Sequence, residues 1–283
     1  MEQGGLTMRM GVIISTYNSP QWLQKVLWGY ECQTDPDFET IIADDGSGSE
    51  TRRLVEDFRQ RGRLNLRHVW HPDDGFRKTE ILNRAIEQND CDYLMLTDGD
   101  CVPRRDVVAL HKSMAKPGHY LSAGYFKLTR PVSHAIGQAD IASGRAFTHR
   151  FLRAAGQPLR WKNARIAAPA VIGRWMNRMT PTVASWNGAQ SSTWKSDLVA
   201  ANGFDTRMQY GGEDRELGER LVNAGMKGIQ IRYTAICLHL DHDRGYVTEE
   251  MWANNDRIRQ QTKASGRTRT PWGIVDESVA AAA

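Results

Sequence analysis

The sequence predicts an α/β protein whose central sheet is mostly parallel and flanked by helices. Between residues 10 and 97, short runs rich in β-branched residues alternate with longer segments whose apolar residues recur at helical spacing. Each strand-like run ends in a cluster of Asp, Asn, Ser or Gly, which is typical of a strand that stops at a turn. Strands joined by helices run parallel, because each helix carries the chain back to the end where the previous strand began.

The predicted elements follow a regular order up to Pro103 and a less regular one beyond it. We expect strands over 10–15, 38–43, 64–70 and 93–97, and helices over 22–31, 51–61 and 79–88. Further on we expect helices over 106–114, 139–155, 169–179, 196–201 and 215–224, and strands over 120–129 and 229–240. The polar segment 265–283 predicts a poorly ordered end.

The overall composition is that of an ordinary soluble protein. A chain of 283 residues can bury a sizeable core, and no apolar run approaches the ~18 residues that a membrane-spanning helix needs. The first residues lack the charged and apolar regions of a signal peptide. The four cysteines show no C-x-x-C spacing, which favours reduced thiols and a cytoplasmic location.

An apolar strand that ends in two carboxylates is the strongest functional signal. The run 93–100 (YLMLTDGD) places Asp98 and Asp100 on either side of Gly99. Two carboxylates at one strand end repel each other unless a cation neutralises them, and Mg²⁺ and Mn²⁺ bind such oxygens together with substrate phosphates. An acidic turn without a metal is the alternative.

Three further strands also end in polar clusters. These clusters lie at 16–18 (TYN), 44–47 (DDGS) and 73–75 (DDG). In parallel α/β sheets, ligands bind outside the carboxyl ends of the strands. One shared ligand site therefore explains the four strand ends better than four unrelated turns.

A long segment without acidic residues predicts an anionic partner. No Asp or Glu occurs between Ile141 and Ser196. The nine cationic residues of this segment are Arg145, Arg150, Arg153, Arg160, Lys162, Arg165, Arg174, Arg178 and Lys195. A phosphorylated glycan or an anionic lipid surface fits such a segment, and a solvated helical face is the alternative. We expect no nucleic acid, since no recognisable nucleic-acid-binding module is present.

The ordered series of motifs resembles a known family. The strings VIISTYN (12–18), IIADDGSGS (41–49), DGFRKTEILNRAI (74–86) and YLMLTDGDCVP (93–103) look like the family 2 inverting glycosyltransferases of the GT-A (Rossmann-like) fold. The later string 186–225 resembles the acceptor half of chondroitin-polymerase and galactosyltransferase-like members. The resemblance covers roughly 9–245 and leaves about 130–181 unmatched.

The resemblance implies a single domain with two functional halves. Residues 1–103 would form the nucleotide-sugar-binding half. Residues 104–250 would form the acceptor-binding half, which includes a basic helical insertion at about 130–181. Residues 251–283 would form a polar C-terminal tail.

A donor site is implied at the ends of the first three strands. The residues expected at the nucleoside are Thr16, Tyr17, Asn18, Asp44 and Asp45. One aspartate of the adjacent pair would read the uracil, and the sequence leaves open which one. Arg77 and Lys78 would bind the diphosphate, with Arg77 favoured because a guanidinium group forms bidentate hydrogen bonds to phosphate.

The same resemblance implies a divalent metal, Mn²⁺ or Mg²⁺. Asp100 would bind it directly, and Asp98 would contact the donor ribose or reach the metal through water. A distal histidine would complete the site. His239 has the expected position, His242 is the substitute, and imidazole ligands favour Mn²⁺ over Mg²⁺.

The adjacent acids Glu213 and Asp214 are the predicted catalytic pair. Inverting transfer needs a base that accepts the proton of the acceptor hydroxyl, and we assign Asp214 to that role and Glu213 to binding the hydroxyl. The alternative is a pair of acids that only stabilise a helix N-terminus. The expected acceptor-binding residues are Trp186, Asn187, Tyr210 and Gly212.

The sequence therefore predicts a metal-dependent inverting glycosyltransferase. It would use a UDP-sugar to extend a saccharide or a lipid-linked anionic acceptor of a bacterial surface glycan, such as lipopolysaccharide or capsule. We expect it in the cytoplasm, or in peripheral contact with the anionic cytoplasmic face of the inner membrane. The alternatives are a nucleotide-sugar-binding protein without catalysis and a sugar nucleotidyltransferase.

Overall fold

The computed structural model describes residues 8–158, 166, 170–243 and 247–277. Within these ranges the strands are β1 (Met10–Thr16), β2 (Glu39–Asp44), β3 (Asn65–Trp70), β4 (Tyr93–Asp98), β5 (Cys101–Val102), β6 (His119–Ser122), β7 (Gly124–Lys127), β8 (Ser191–Trp194), β9 (Lys227–Gln230) and β10 (Ile236–His239). The helices are α1 (Pro20–Tyr30), α2 (Ser49–Arg61), α3 (Lys78–Glu87), α4 (Val107–Met114), α5 (Arg130–Ala135), α6 (Gln138–Ala142), α7 (His149–Ala154), α8 (Ala170–Met179), α9 (Lys195–Ala200), α10 (Glu213–Asn223) and α11 (Glu249–Ser265).

The strands form a seven-stranded sheet and a three-stranded sheet. The larger sheet has the order β3-β2-β1-β4-β8-β6-β9, in which β1 to β4 pair in parallel and β8 runs antiparallel to both of its neighbours. The smaller sheet has the order β5-β10-β7. The predicted α/β fold with a mostly parallel central sheet is confirmed.

Both faces of β1, β2 and β4 are buried, as their continuous apolar runs predict, whereas the edge strand β3 alternates between buried and exposed residues. Val12 and Ile14 of β1 point into one hydrophobic cluster, where α1 and α2 pack. Ile13 points into the opposite cluster, where α3, α9 and α10 pack. Because the strands run parallel, their carboxyl ends lie at one edge, and β1 aligns Ser15 with Asp98 and Thr16 with Asp44.

Two of the predicted strands are each divided between the two sheets. The segment 120–129 breaks at Ala123: Ser122 pairs with Ser191 in the larger sheet, whereas Gly124 pairs with Ile236 in the smaller one. The segment 229–240 breaks in the same way into β9 and β10. The prediction of one strand in each segment was wrong. The apolar pattern continues across the residues where the chain passes from one sheet to the other, so the pattern does not show the break.

The C-terminal end is ordered where the structure describes it, which contradicts the predicted poorly ordered tail. Helix α11 packs against α10, and residues 266–277 fold back onto the loop after α9. The side-chain NH₂ group of Asn202 donates hydrogen bonds to the carbonyl oxygens of Thr270 and Val275. The guanidinium of Arg207 lies 3.3 Å from the centre of the Trp272 ring. Polar residues hold this segment, and for that reason apolar patterning did not reveal it.

The basic segment is helical but less continuous than predicted. The expected helix 139–155 is divided into α6, a 3₁₀ turn at Arg145–Phe147 and α7, with Gly144 at φ 76° between the first two. Helix α8 agrees with the expected 169–179. Arg160, Lys162 and Arg165 lie outside the described residues. Among the residues that are described, no helix is long and apolar enough to cross a membrane.

Candidate active site

The loops after β1, β2 and β3 are joined by side-chain hydrogen bonds into one surface. The amide of Asn18 donates to Ser47 Oγ over 2.8 Å, and its side-chain oxygen accepts from the amide of Gly48. The hydroxyl of the half-exposed Tyr17 donates to Asp73 over 2.9 Å. The carbonyl of Thr16 accepts from the amide of Asp45. Thr16, Tyr17 and Asn18 therefore lie together, as the sequence predicts.

Asp44 and Asp45 differ in what holds them. Asp44 is fully buried; it accepts from the amide of Ser47 and lies 2.9 Å from Nε2 of His68. Asp45 lies 2.7 Å from Nε2 of His71 and accepts from the amide of Arg77. Burial raises the pKa of Asp45, and the contact with His71 limits the rise.

Lys78 connects the strand-end carboxylates to the start of α10. Its Nζ lies 2.8 Å from Asp98 Oδ1 and 3.5 Å from Glu213 Oε1. Burial alone would lower the pKa of Lys78, but the charges of Asp98 and Glu213 outweigh it and raise that pKa well above its usual value. Ser15 Oγ also donates to Asp98 Oδ1.

Arg77 is directed away from this group, although the sequence favoured it over Lys78. Its guanidinium pairs with Asp74 over 3.1 Å and with Glu80 over 3.8 Å. Arg77 precedes the first residue of α3, so its side chain leaves the loop on a different side from that of Lys78. The structure therefore brings Lys78, rather than Arg77, to the strand-end carboxylates.

Asp100 lies in a different environment from Asp98. His242 Nε2 is 2.8 Å and His239 Nε2 is 3.5 Å from Asp100 Oδ2. Each imidazole has its Nδ1 within 3.0 Å of a backbone carbonyl oxygen, so Nδ1 donates there and Nε2 is the ring nitrogen that faces the carboxylate. Burial would raise the pKa of Asp100, but the two histidines outweigh it and lower that pKa.

These side chains fit a divalent cation. Ligand atoms of Asp100, Cys101 and His239 lie within 4.8 Å of one another, and His242 adds a second imidazole. A carboxylate suits both Mg²⁺ and Mn²⁺, and the imidazoles favour Mn²⁺ of the two. Gly99 makes the arrangement possible, because its amide bonds to the carbonyl of Ser15 and a Cβ atom there would lie 2.8 Å from that oxygen. The two predicted histidines thus lie together, not as alternatives.

The two acids predicted as the catalytic pair lie in the first turn of α10. Glu213 accepts from the amide of Gly211 over 3.0 Å and faces Lys78. Asp214 accepts from the amides of Gly188 and Arg215, each over 2.7 Å. Burial raises the pKa of both carboxyl groups; Lys78 limits the rise for Glu213, and the Gly188 hydrogen bond limits it for Asp214.

The predicted acceptor residues do not form one surface. Trp186 is 1% exposed and packs against Tyr120 and Gly218, so its side chain is not available to an acceptor, contrary to the expectation. Asn187 donates to the carbonyl of Ala123, which shapes the loop that carries Gly188. Tyr210 packs edge-on against Phe76 and Trp252, and Gly212, with φ 90°, precedes the first residue of α10.

Four residues of the site were missed by the sequence analysis. His68 and His71 bind the Asp44-Asp45 pair, Ser15 binds Asp98, and Gly188 binds Asp214 through its backbone. The parallel order of β2 and β3 was a usable signal for the histidines, since it aligns Asp44 with Trp70. A backbone amide such as that of Gly188 leaves no signal in composition.

The fold is that of a GT-A protein, and sequence similarity assigns the family. Residues 11–164, more than half of the chain, match the family model described as Glycosyl transferase family 2. Residues 180–243 match the model described as N-terminal domain of galactosyltransferase. The chain belongs to glycosyl transferase family 2.

The individual relatives share less than a third of their residues with this chain. The validoxylamine A glucosyltransferase of Streptomyces hygroscopicus subsp. jinggangensis is 27% identical over 228 residues, which cover 77% of this chain and 52% of that protein. This chain thus spans about half the length of that relative.

Solved structures show the same fold. A mannosyltransferase from Pyrobaculum calidifontis in complex with GDP-Man and Mn²⁺ has a TM-score of 0.56 at 20% identity, covering 92% of this chain and 63% of that one. Staphylococcus aureus TarS 1–349 with UDP-GlcNAc has a TM-score of 0.57 at 15% identity, covering 92% of this chain and 69% of that one.

Proposed function

We propose that this protein transfers a sugar from a nucleotide-sugar, in the first instance a UDP-sugar, to an acceptor hydroxyl with inversion at the anomeric carbon. The observation that carries the proposal is that two carboxylate groups, one just after β4 and one in the first turn of α10, have unlike surroundings. Asp100 faces two imidazoles, whereas Asp214 is held by backbone amides near Lys78. A metal-bound diphosphate needs the first environment, and a catalytic base needs the second.

The donor nucleoside would occupy the joined loops after β1, β2 and β3. Asp44 has no exposed surface, so Asp45 is the member of the pair that would contact the base. The half-exposed Tyr17 offers an aromatic edge next to it. Lys78 would bind the diphosphate from the side of Asp98, and this role is proposed for it ahead of Arg77.

Mn²⁺ or Mg²⁺ would be held by Asp100, His239 and His242, with Asp98 beside the donor ribose. When bound, the cation neutralises charge on the departing diphosphate. The hydrogen bonds from each Nδ1 to a carbonyl oxygen fix the ring orientation that such ligands need.

Asp214 would accept the proton of the acceptor hydroxyl as its oxygen attacks the anomeric carbon. The bond between that carbon and the diphosphate oxygen breaks, and the nucleoside diphosphate leaves. Burial raises the pKa of Asp214, which makes its carboxylate more basic than an exposed one. Transfer should therefore decline as the pH falls through this raised pKa, because the base must be ionised. Glu213, paired with Lys78, would bind the hydroxyl.

The decisive experiment replaces the base while keeping its shape. We expect Asp214→Asn to lower transfer by roughly 10²-fold or more, with unchanged thermal unfolding and donor binding. The exposed Asp57→Asn should retain full activity. Screening of UDP-sugars with Mn²⁺, and with a chelator as control, measures nucleoside diphosphate release. Full transfer by a folded Asp214→Asn protein would refute the assignment, and donor binding without release would favour a non-catalytic binding protein.

The acceptor is proposed as a saccharide or a lipid-linked anionic glycan in bacterial surface-glycan synthesis on the cytoplasmic side. The support for this is electrostatic. Six of the nine cations of the acid-free segment lie within the described residues, and they are Arg145, Arg150, Arg153, Arg174, Arg178 and Lys195. A cationic surface attracts phosphorylated acceptors and anionic membranes alike.

A further inference from the structure

Helix α8 presents its apolar side to solvent. Val171 is 69% exposed, Trp175 63% and Met179 64%, and Ile172 is also exposed. On a helix these four positions lie within about 100° of one another. A surface helix normally buries such a stripe against the core. We define the docking face as the outward side chains of Val171, Ile172, Arg174, Trp175, Arg178 and Met179.

Specific contacts fix this orientation. Gly173 lies against the chain at Tyr233, where a Cβ atom would be 2.6 Å from the carbonyl oxygen, so only glycine permits the close approach. The side chain of Asn177 donates to Thr234 Oγ1 and accepts from the amide of Tyr233, each over 2.9 Å. The helix therefore packs through its small and polar residues, and it cannot turn its apolar stripe inward without losing these bonds.

The docking face is the main concentration of exposed apolar surface in the described part of the chain. Five of the twelve exposed large hydrophobic residues there lie between 171 and 183, with Val183 just beyond the helix; the other seven are spread over the remaining described residues. Isolated exposed hydrophobic residues are ordinary, whereas a contiguous patch marks an interaction site.

The charges beside the stripe indicate what binds it. Arg174 and Arg178 are both exposed and lie one turn apart along its edge, and no acidic residue occurs from Ile141 to Ser196. A second copy of the chain is disfavoured, because a two-fold contact would bring these arginines together without a carboxylate from this segment. A Trp-containing apolar stripe edged by arginines matches an interfacial helix on an anionic bilayer.

We propose that the docking face binds the surface of an anionic lipid bilayer, with α8 lying in the membrane plane. Eight residues lie between Met179 and Gly188, whose amide binds Asp214, so α8 ends within about 30 Å of the proposed catalytic base. A lipid-linked acceptor would then meet the site from the same membrane. That last step rests on the proposed function; the lipid contact itself does not.

Sedimentation with vesicles tests the contact independently of catalysis. We expect binding to vesicles that contain phosphatidylglycerol and much weaker binding to phosphatidylcholine alone, with added salt weakening the former. Ile172→Gln/Trp175→Gln should lower the partition coefficient at least about tenfold. Arg174→Gln/Arg178→Gln should lower it roughly fivefold per arginine, and only on the anionic vesicles.

Matched exposed residues elsewhere serve as controls. Val199→Gln/Val222→Gln and Arg53→Gln/Arg84→Gln should bind like the parent. Nucleoside diphosphate release from a soluble donor, measured on every variant, separates loss of docking from loss of function. The proposal is overturned if the parent does not bind anionic vesicles, or if all variants bind equally. It is also overturned if the docking-face variants instead abolish a dimer seen by light scattering.

Discussion

At the residue scale, the site is organised by which carboxylate has which partner. One carboxylate oxygen of Asp98 accepts hydrogen bonds from both Ser15 and Lys78, whereas Asp100 faces His239 and His242. The two acids are neighbours in sequence yet belong to different electrostatic environments. The sequence predicted a larger role for Asp100 at the metal, which stays a prediction, and the separate partners now give it a physical reason.

Replacing Lys78 should be more damaging than replacing Arg77. Lys78→Met leaves Asp98 and Glu213 without the cation between them, and we expect the free energy of unfolding to fall by about 2 kcal/mol, since breaking a largely buried pair leaves uncompensated charge. Arg77→Met removes partly exposed pairs and should cost less than about 1 kcal/mol. Urea denaturation at neutral pH measures both. Equal losses would show that Lys78 is not the central cation.

Residue types at the site were predictable, but the directions of their side chains were not. Asp98, Asp100, Glu213 and Asp214 follow from strand ends and a helix start, which local patterns reveal. The structure brings Lys78 rather than Arg77 to the strand-end carboxylates, because one residue of shift at a helix N-terminus rotates a side chain by about 100°. Local sequence does not fix that rotation.

At the element scale, β4, β8 and α4 meet at a buried polar network. Ser192 of β8 contacts the hydroxyl of Tyr93 over 2.8 Å and Nδ1 of His111 over 2.7 Å. Burial lowers the pKa of His111 to about 3. The histidine therefore stays neutral in the folded protein over the whole physiological range, which ties α4 to the sheet without a charge.

This network should make the protein acid-sensitive. The folded pKa of His111 lies below the ordinary value near 6.5, so below about pH 6.5 the unfolded chain binds a proton that the folded chain excludes. The free energy of unfolding should fall by about 1 kcal/mol per pH unit between pH 6 and 5 from this residue. His111→Gln should reduce that slope, and His119→Gln on β6 should not. A slope unaffected by His111→Gln would contradict the buried neutral state.

At the whole-molecule scale, the sequence revealed the parallel half far better than the rest. Strands β1, β2 and β4 are short apolar runs, β3 alternates, and each of the four lies in one sheet, so local periodicity suffices to predict them. The second half requires long-range information: 120–129 and 229–240 change sheets, and the C-terminal segment packs through hydrogen bonds. The pattern of apolar residues predicts neither the change of sheet nor the packing of the C-terminal segment.

The C-terminal segment should contribute measurably to stability through Asn202. This buried residue has φ 61°. Its side-chain NH₂ group donates to the carbonyls of Thr270 and Val275, and its side-chain oxygen accepts from the backbone amide of Val275. We expect Asn202→Ala to cost about 3 kcal/mol, because it removes three hydrogen bonds, one buried and two partly buried, and leaves a β-carbon in a left-handed conformation. Asn202→Gly removes the bonds but relieves the backbone, so it should cost less.

Thermal unfolding of the two variants separates these contributions. Trypsin provides a second measurement, since release of the segment would expose Arg267 and Arg269 to cleavage. The exposed substitution Arg257→Gln on α11 serves as the control and should leave both measurements unchanged. Parental stability and trypsin resistance in Asn202→Ala would mean that α11 alone holds the end of the described chain. The same segment packs against Arg207 through Trp272. Two residues further on, the carbonyl of Gln209 accepts a hydrogen bond from Asn255 of α11. Release of the C-terminal segment should therefore also loosen the loop that carries Tyr210.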